Sequence, residues 1–201
     1  MQLPIFNDES TNILPFDGEA YLYNNFLKED RPYHFFNQLL DTTAWKQEGM
    51  KMYGKQIDFP RLTAWYGDEG KVYKYSGLVN VPIAFTGLLL ELKQAIESKT
   101  GFEFNAALLN LYRSERDSMG WHSDDEAELG INPVIASLSF GETRNFQFKH
   151  KTVSKTTQTI QLPNNSLLLM KGQTQHHWLH QIPKSSKPAK ARINITFRNI
   201  S

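Results

Sequence analysis

The sequence predicts a mainly β fold with flanking helices (α+β), in which short strands form a sandwich or jelly roll. Seven strand-like segments fall between residues 104 and 199, turns separate them, and two helix-like segments precede them. Many short strands without intervening helices are typical of a sandwich or barrel. No linker divides the chain, so we expect residues 1–201 to form a single domain, with residues 1–100 preceding the β core and residues 101–201 forming it.

Two helices are predicted ahead of the strands. The first covers roughly residues 30–43, where Asp30 is a capping residue, Pro32 suits the first turn and apolar residues recur at helical spacing. The second covers roughly residues 82–99, beginning at Pro82, with one continuous apolar face. Both helices are expected to pack outside the β core.

The remaining elements follow from period-two patterns and turn residues. Residues 45–78 are rich in aromatic residues and glycine, which indicates short hairpins or lid loops that pack on the sandwich or face a ligand. The strand candidates alternate apolar and polar residues or form short apolar runs. They are residues 104–112, 134–140, 144–150, 157–162, 166–171, 176–182 and 191–199.

The composition excludes several classes of function. A chain without cysteine has no disulfide scaffold, thiolate zinc site, iron–sulfur cluster or cysteine nucleophile. No apolar run approaches bilayer-spanning length, and the opening MQLPIFNDES lacks signal-peptide features. We therefore expect an intracellular protein that does not enter a membrane, cytoplasmic if bacterial and nuclear if eukaryotic.

The net charge of +1 alone argues against a nucleic-acid partner, but the charge is unevenly spread. Residues 1–30 carry six acids and one base, residues 31–130 carry 14 acids and 11 bases, and residues 131–201 carry ten bases and one acid. The basic C-terminal third is able to form a phosphate-binding face. A solvated surface offset by the acidic N-terminus is the more common reason for such a distribution.

The segment Trp121–Glu126 has the composition of a metal site. His122 and Asp124 are two residues apart, so on extended backbone their side chains leave the same face. With a second histidine they form the two-histidine, one-carboxylate set that binds a first-row transition metal. An isolated H-x-D pattern is weak evidence, since a surface turn explains it as well. The second histidine is one of His34, His150, His176, His177 and His180, and spacing along a late strand does not separate His176 from His180.

Residues 192–198 alternate strictly between apolar and polar side chains, so one set faces the core and the other forms a polar stripe. The stripe consists of Arg192, Asn194, Thr196 and Arg198. Its ordinary explanation is the wet face of a surface strand. The alternative is an anion site, because arginines roughly 20 Å apart along a strand leave room between their tips for a short dicarboxylate. Arginine pairs with carboxylates bidentately and stays charged when buried.

Together these pieces resemble the AlkB family of Fe(II)- and 2-oxoglutarate-dependent dioxygenases, and within it the DNA-repair homologues. The resemblance covers about residues 50–201, nearly three quarters of the chain. It rests on H-x-D, a distal histidine and R-x5-R, within the segments PRLTAWYGD, YKYSG, NLY, GWHSDDE, ASLSFG, HWLH and RINITFR. It implies a double-stranded β-helix (jelly-roll) core with N-terminal helices and a nucleotide-recognition lid.

The resemblance also implies the cofactors and the residues that contact them. Fe(II) is expected on His122, Asp124 and His180, since the final histidine of the family's H-W-x-H segment is the ligand. The implied contacts to 2-oxoglutarate are Asn110, Tyr112, Arg192, Asn194, Thr196 and Arg198. Arg192 is expected to pair with the distal carboxylate, while Arg198 and Asn110 support the metal-chelating end. The implied catalytic set is His122, Asp124, His180 and Arg198, with dioxygen as the remaining cosubstrate.

The implied substrate is 1-methyladenine or 3-methylcytosine in DNA, with RNA as a further class. Such a lesion is cationic and pairs poorly, so it flips out of the duplex more easily than a normal base. Oxidation of the N-alkyl carbon then releases an aldehyde and the repaired base. The implied base contacts are Tyr75 as stacking aromatic, Tyr73 and Ser76 beside it, Asp125 and Glu126 against the cationic base, and Tyr53 at a hairpin tip where family members carry Phe.

Two other hypotheses stay open. The same chemistry on RNA or on a protein side chain gains support if alanine at Tyr53 and Tyr75 leaves activity on DNA intact. A catalytically silent jelly roll would bind nucleic acid through its basic third, with a salt-dependent affinity and no dependence on iron. In each case we expect a monomer.

Overall fold

The computed structural model describes residues 11–28, 32–52, 55–70, 73–75, 78–80 and 82–201. Within these ranges the strands are β1 (Glu19–Tyr23), β2 (Gly49–Met52), β3 (Lys55–Asp58), β4 (Leu62–Gly67), β5 (Tyr73–Tyr75), β6 (Leu78–Asn80), β7 (Ala106–Tyr112), β8 (Met119–His122), β9 (Ile135–Gly141), β10 (Arg144–His150), β11 (Thr157–Leu162), β12 (Ser166–Lys171), β13 (Trp178–Ile182) and β14 (Arg192–Arg198). The helices are α1 (Pro32–Thr42), α2 (Gly87–Thr100) and the short α3 (Thr174–His177), and Ala127–Leu129 form a 3-10 turn.

Two antiparallel sheets form the body of the protein. The larger sheet has the order β1-β12-β9-β14-β7-β4, and the smaller sheet has the order β11-β10-β13-β8. Neighbours in both sheets come from distant parts of the sequence, as in the pairing of β14 with β7 and β9. The hairpins β2–β3 and β5–β6 stand apart from the two sheets. The predicted jelly-roll core with flanking helices is confirmed, while the division at residue 100 stays a prediction.

Two buried clusters lie on opposite faces of the larger sheet. One contains Ile193, Ile195 and Phe197 of β14 and packs against helices α1 and α2. The other contains Phe148 and Trp178 of the smaller sheet and fills the space between the sheets. The alternation of β14 therefore places its apolar side chains toward the helices and its polar side chains toward the smaller sheet.

The first helix is found as predicted, at Pro32–Thr42, while its predicted cap Asp30 lies outside the described residues. The second begins at Gly87 and not near Pro82. The reason is Thr86, which has extended backbone and whose Oγ1 accepts a hydrogen bond from the N–H of Leu89 at 3.3 Å. Ile83 meanwhile forms a parallel bridge with Tyr66 and is not helical.

Three core strands, β1, β4 and β8, have no counterpart among the predicted strands. β4 is buried on both faces along nearly its whole length, so it shows no alternation that a sequence pattern can reveal. β1 and β8 are short edge strands of the larger and smaller sheets. The predicted strand 176–182 begins instead at Trp178, after the helical turn α3. No helix in the described ranges is long and apolar enough to span a membrane.

Candidate active site

His122 and His180 stand on neighbouring strands and face each other. His180 of β13 is the direct antiparallel partner of His122 at the end of β8, and the two ring centroids lie 4.2 Å apart. Asp124, two residues beyond β8, places its Oδ2 3.9 Å from Nε2 of His180. One ligand atom from each of the three residues lies within 4.8 Å of the other two. Two imidazoles and a carboxylate in this arrangement are a donor set for a first-row transition metal.

The protonation states of these three side chains suit metal binding. Burial lowers the pKa of His180 to about 3, aided by the neighbouring His122, and burial also lowers the pKa of His122. Burial by itself raises the pKa of Asp124, but the charged Arg198, which donates to its carboxylate, outweighs burial and holds that pKa below its usual value. At neutral pH the site therefore presents two neutral imidazoles and a carboxylate, the forms that coordinate metal.

His176 does not join this group. The backbone N–H groups of His176 and His177 both donate to the carbonyl of Gln173, at 3.0 and 3.2 Å, because this stretch is the helical turn α3. The expectation that His176 and His180 share one face of an extended strand is wrong, since period-two alternation begins only at Trp178. Within the described ranges, His180 is the histidine that reaches His122 and Asp124.

A second group, Asp17, His150 and His177, also brings three ligand atoms within 4.8 Å of one another. Nδ1 of His150 accepts a hydrogen bond from the N–H of Val153 at 2.9 Å and another from that of Thr152 at 3.3 Å. Because Nδ1 is an acceptor, the ring proton lies on Nε2, which is 3.4 Å from Oδ2 of Asp17. A protonated Nε2 has no lone pair for a metal, so this group is a polar contact that fastens the N-terminal segment.

The polar stripe of β14 is buried and is not the wet face of a surface strand. Its members expose between 1% and 8% of their surface. They line one cavity between the sheets, together with the histidine–aspartate group and three residues of β7. The predicted metal and cosubstrate residues in that cavity are Asn110, Tyr112, His122, Asp124, His180, Arg192, Asn194, Thr196 and Arg198.

The two arginines of the stripe have different partners. Nη2 of Arg198 donates to Oδ1 of Asp124 at 2.6 Å, and both side chains are buried. Arg198 therefore holds the carboxylate of the histidine–aspartate group in place and compensates its charge. This contact lies at the metal end of the cavity, where the sequence resemblance put Arg198.

At the end of the cavity away from the histidine–aspartate group, Arg192 has N–H donors that no described residue engages. Its Nη2 donates to Oγ of Ser139 at 2.9 Å, and its guanidinium carbon lies 5.2 Å from the ring centroid of Tyr112. Its Nε and Nη1 are buried and have no hydrogen-bond partner within the described structure. Burial lowers the pKa of Arg192 to about 10, so the group is still charged at neutral pH. A buried cation with two open donors, facing a cavity with a metal donor set, fits a small dicarboxylate that also binds the metal.

The amide and hydroxyl groups of the stripe are already paired. Nδ2 of Asn194 donates to Oγ of Ser137 at 2.8 Å and to the carbonyl of Leu138 at 3.1 Å, and Oγ1 of Thr196 donates to Oδ1 of Asn194 at 3.1 Å. These contacts fix the side chains before any ligand arrives. Asn194 and Thr196 therefore shape the cavity wall rather than offering free donors.

The structure describes only some of the residues predicted to contact the substrate. Tyr53 and Ser76 lie outside the described residues, and Tyr73 and Tyr75 are placed on β5, which pairs with β6 in a two-stranded hairpin. For Asp125, by contrast, the structure gives the contacts of the side chain.

Oδ2 of Asp125 accepts a hydrogen bond from Oγ of Ser123 at 2.8 Å and one from Nζ of Lys151 at 3.1 Å. Glu126 follows it and precedes the 3-10 turn. Their contact with a base stays a prediction.

Several residues that support the site from outside the cavity were given no role in the sequence analysis. Nε of Arg61 donates to Oδ1 of Asn110 at 2.8 Å. Arg144 donates to the carbonyls of Ser114, Asp117 and Pro183. Gln175 and Lys151 contact the segment that follows His122. Each acts through contacts distant in sequence, which no spacing rule reveals.

Comparison with known proteins agrees with this geometry. A family model described as "2OG-Fe(II) oxygenase superfamily" matches residues 19–198. The chain is 42% identical over 174 residues to alpha-ketoglutarate-dependent dioxygenase alkB homolog 3 of Bos taurus, covering 82% of this chain and 60% of that protein. It is 38% identical over 158 residues to DNA oxidative demethylase ALKBH2 of Homo sapiens, covering 75% of this chain and 60% of that protein.

The chain thus spans 60% of the length of each of these relatives. A solved structure described as "The structure of OsALKBH1" superposes with a TM-score of 0.64 at 18% identity, covering 90% of this chain and 97% of that chain. At this low identity, the structural similarity shows only that the two chains share a fold.

Proposed function

The chain belongs to the 2OG-Fe(II) oxygenase superfamily, and from that premise we propose that it oxidatively dealkylates N-alkylated bases, 1-methyladenine and 3-methylcytosine, in DNA. The cofactors of this superfamily are Fe(II), 2-oxoglutarate and dioxygen. The observation that carries the proposal is the single cavity in which a metal donor set at one end faces a buried arginine with two open donors at the other.

The residues of this cavity have distinct roles in the proposed reaction. His122, Asp124 and His180 hold the metal, and Arg192 binds the far carboxylate of 2-oxoglutarate. When bound, the metal and 2-oxoglutarate supply an oxidation in which one oxygen atom enters succinate, formed with carbon dioxide, and the other enters the N-alkyl carbon. The hydroxyl group on that carbon then loses its proton to water and forms a carbonyl, the C–N bond breaks and its electron pair goes to the ring nitrogen, so that an aldehyde and the neutral base are released.

The rest of the cavity maintains geometry and excludes water. Arg198 keeps Asp124 charged and oriented, since the pair is hydrogen-bonded at 2.6 Å and buried. Ser137, Asn194 and Thr196 form a connected chain of hydrogen bonds that leaves little freedom along β14. Apolar side chains, among them Leu108, complete the lining. Such preorganisation reduces reorganisation during the reaction.

Alkylated DNA as substrate is supported by three observations. One relative is named a DNA oxidative demethylase. The C-terminal third carries ten bases and one acid. The acidic residues Asp125 and Glu126, for which the sequence resemblance implies contact with a cationic base, directly follow a proposed metal ligand, and a lesion that pairs poorly costs less to flip. The use of RNA, the monomeric state and the intracellular location stay predictions.

The test measures formaldehyde release from matched oligonucleotides that carry methyladenine or methylcytosine, single-stranded and duplex, DNA and RNA, with and without iron. The wild-type protein is expected to act only with iron and 2-oxoglutarate, and Asp124→Ala is expected to abolish turnover. Asp41→Ala, an exposed acid on α1, is the control and should keep full activity.

Full activity of the Asp124 variant would overturn the metal assignment. Turnover on RNA alone would move the substrate from DNA to RNA. Binding of DNA without any iron-dependent product would refute the enzymatic proposal altogether.

A further inference from the structure

Asp124 is held from two sides. Its carboxylate accepts from Arg198, and its backbone N–H donates to Oε1 of Gln175 at 2.9 Å. Asp124 is 1% exposed and Gln175 is fully buried. Because the donor is the main chain of Asp124 and not its side chain, this bond fixes where the residue sits, while Arg198 fixes where its carboxylate points.

This second support has a clear structural reason. β8 ends at His122, and residues 123–126 have no regular secondary structure. Strand pairing positions His122 opposite His180, but no ladder extends to Asp124. A buried N–H without a partner is destabilising, and the amide of Gln175 supplies that partner.

Gln175 is itself fixed at its other end. Its Nε2 lies 3.8 Å from Sδ of Met170 on β12, which leaves Oε1 turned toward Asp124. Its backbone carbonyl accepts a hydrogen bond from Nζ of Lys151 at 2.9 Å, and the same Nζ lies 3.1 Å from Oδ2 of Asp125. The turn α3 thus connects the segment after His122 to both sheets.

We propose that Gln175 is a positioning residue that sets the location of Asp124 within the metal donor set. The inference rests on the proposed function only in that Asp124 ligates the metal, and it concerns metal affinity rather than the base. Groups that orient metal ligands from outside typically change metal affinity or activity by 10–100-fold when replaced. The loss of this amide is expected to act through the main chain of Asp124, with Arg198 and both histidines unchanged.

The test compares metal affinity in four variants of the full chain, measured by titration with Mn(II) in the absence of oxygen. Gln175→Met keeps the volume and removes the acceptor, and it is expected to bind Mn(II) about 10–100-fold more weakly. Gln175→Glu restores an acceptor oxygen at the same reach and should recover most of the affinity. The control is Gln181→Met on β13, whose Nε2 bonds Oε1 of Gln147, and it should match the wild type.

Gln175→Asn keeps an amide but is one carbon shorter, and it should also lose affinity. Wild-type affinity in either the Met or the Asn variant overturns the proposal, so the test holds even if one of them does not fold. An equal loss in the Gln181 control overturns it as well, because the effect would then be unspecific. Normal Mn(II) behaviour with no dealkylation of any oligonucleotide would refute the proposed function and leave this inference standing.

Discussion

Replacing Arg192 with methionine is expected to weaken 2-oxoglutarate binding strongly without destabilising the protein in the absence of that ligand. Arg192 is 1% exposed, and its Nε and Nη1 have no hydrogen-bond partner in the described part of the chain. A buried cation that is incompletely paired costs several kcal/mol of folding free energy. Methionine has a similar length and no charge, so it removes that cost and keeps the packing.

The loss in binding is worked out from the two open donors. Hydrogen bonds to charged groups contribute about 1.5–3 kcal/mol each. Two of them give about 3–6 kcal/mol, which is a loss of roughly 10²–10⁴-fold in affinity. Arg192→Met should therefore keep or raise the stability measured without 2-oxoglutarate while it lowers the affinity for 2-oxoglutarate. A general loss of structure would lower both.

Arg144→Met is the matched control. Arg144 is also buried and lies near the same ring, with its guanidinium carbon 5.8 Å from the centroid of Tyr112, but it donates to three main-chain carbonyls. Its removal takes the guanidinium donor from all three carbonyls, of which Ser114 keeps the N–H of Asp117, and is expected to cost about 2 kcal/mol or more, with no selective effect on 2-oxoglutarate.

The assay is thermal unfolding of the Mn(II)-loaded protein with and without 2-oxoglutarate, because a bound ligand raises the unfolding free energy by RT ln(1 + [L]/Kd). We expect the wild type to show a ligand-dependent rise in Tm that Arg192→Met lacks. The reasoning is refuted if Arg192→Met keeps the full rise, or if without ligand it loses as much stability as Arg144→Met.

Three further changes test the framework around the site by urea unfolding. Asp117→Asn should cost about 1–3 kcal/mol, because Asp117 accepts hydrogen bonds from Arg113; burial alone raises the pKa of Asp117, but these bonds outweigh burial and lower that pKa. The stabilisation is therefore present above about pH 4 and is lost as the pH falls through the lower folded-state pKa. The stability curves of wild type and variant should converge in acid, and parallel curves would contradict this reasoning. Gly141→Ala should cost more than about 1 kcal/mol, because φ is +88° and a Cβ would lie 2.5 Å from the carbonyl oxygen of Ala191; an unchanged midpoint would show that the turn rearranges freely. Ile195→Ala should cost about 2–5 kcal/mol, since the side chain is fully buried against the helices, and a loss below about 1 kcal/mol would mean that the core closes around the missing atoms.

The parts of the fold that were predictable share a local cause. A period of two places Ile193 and Arg192 on opposite faces of β14 whatever surrounds the strand, so the polar stripe is visible in the sequence. The sequence does not reveal that the stripe is buried, because that depends on the smaller sheet, whose strands come from other parts of the chain. The same limit applied to His176 and His180, since a helical turn of four residues leaves too short a pattern to detect.

The residues that escaped prediction act through contacts between distant parts of the sequence. Arg61 reaches Asn110 across 49 residues, and Gln175 reaches the N–H of Asp124 across 51. Arg61 lies in the segment PRLTAWYGD, but no role for it follows from the sequence, and Gln175 lies outside the segments of the resemblance. In both cases the position to which the fold brings the side chain decides what it contacts. Support of this kind follows from the tertiary structure, whereas the metal donors follow from local spacing.

The burial of charges changes the meaning of the basic C-terminal third. After residue 130 every arginine is buried, namely Arg144, Arg192 and Arg198, whereas every lysine is exposed or half-buried. The planar guanidinium groups of the arginines thus lie inside the protein, where they contact carbonyls and carboxylates. The surface carries lysines, whose point charges attract phosphate without a fixed geometry. Phosphate contacts position a nucleic acid but carry no sequence information. A surface of this composition suits a protein whose target is a chemically altered base in any sequence, and the discrimination then has to come from the cavity where Asp124 and Arg192 lie.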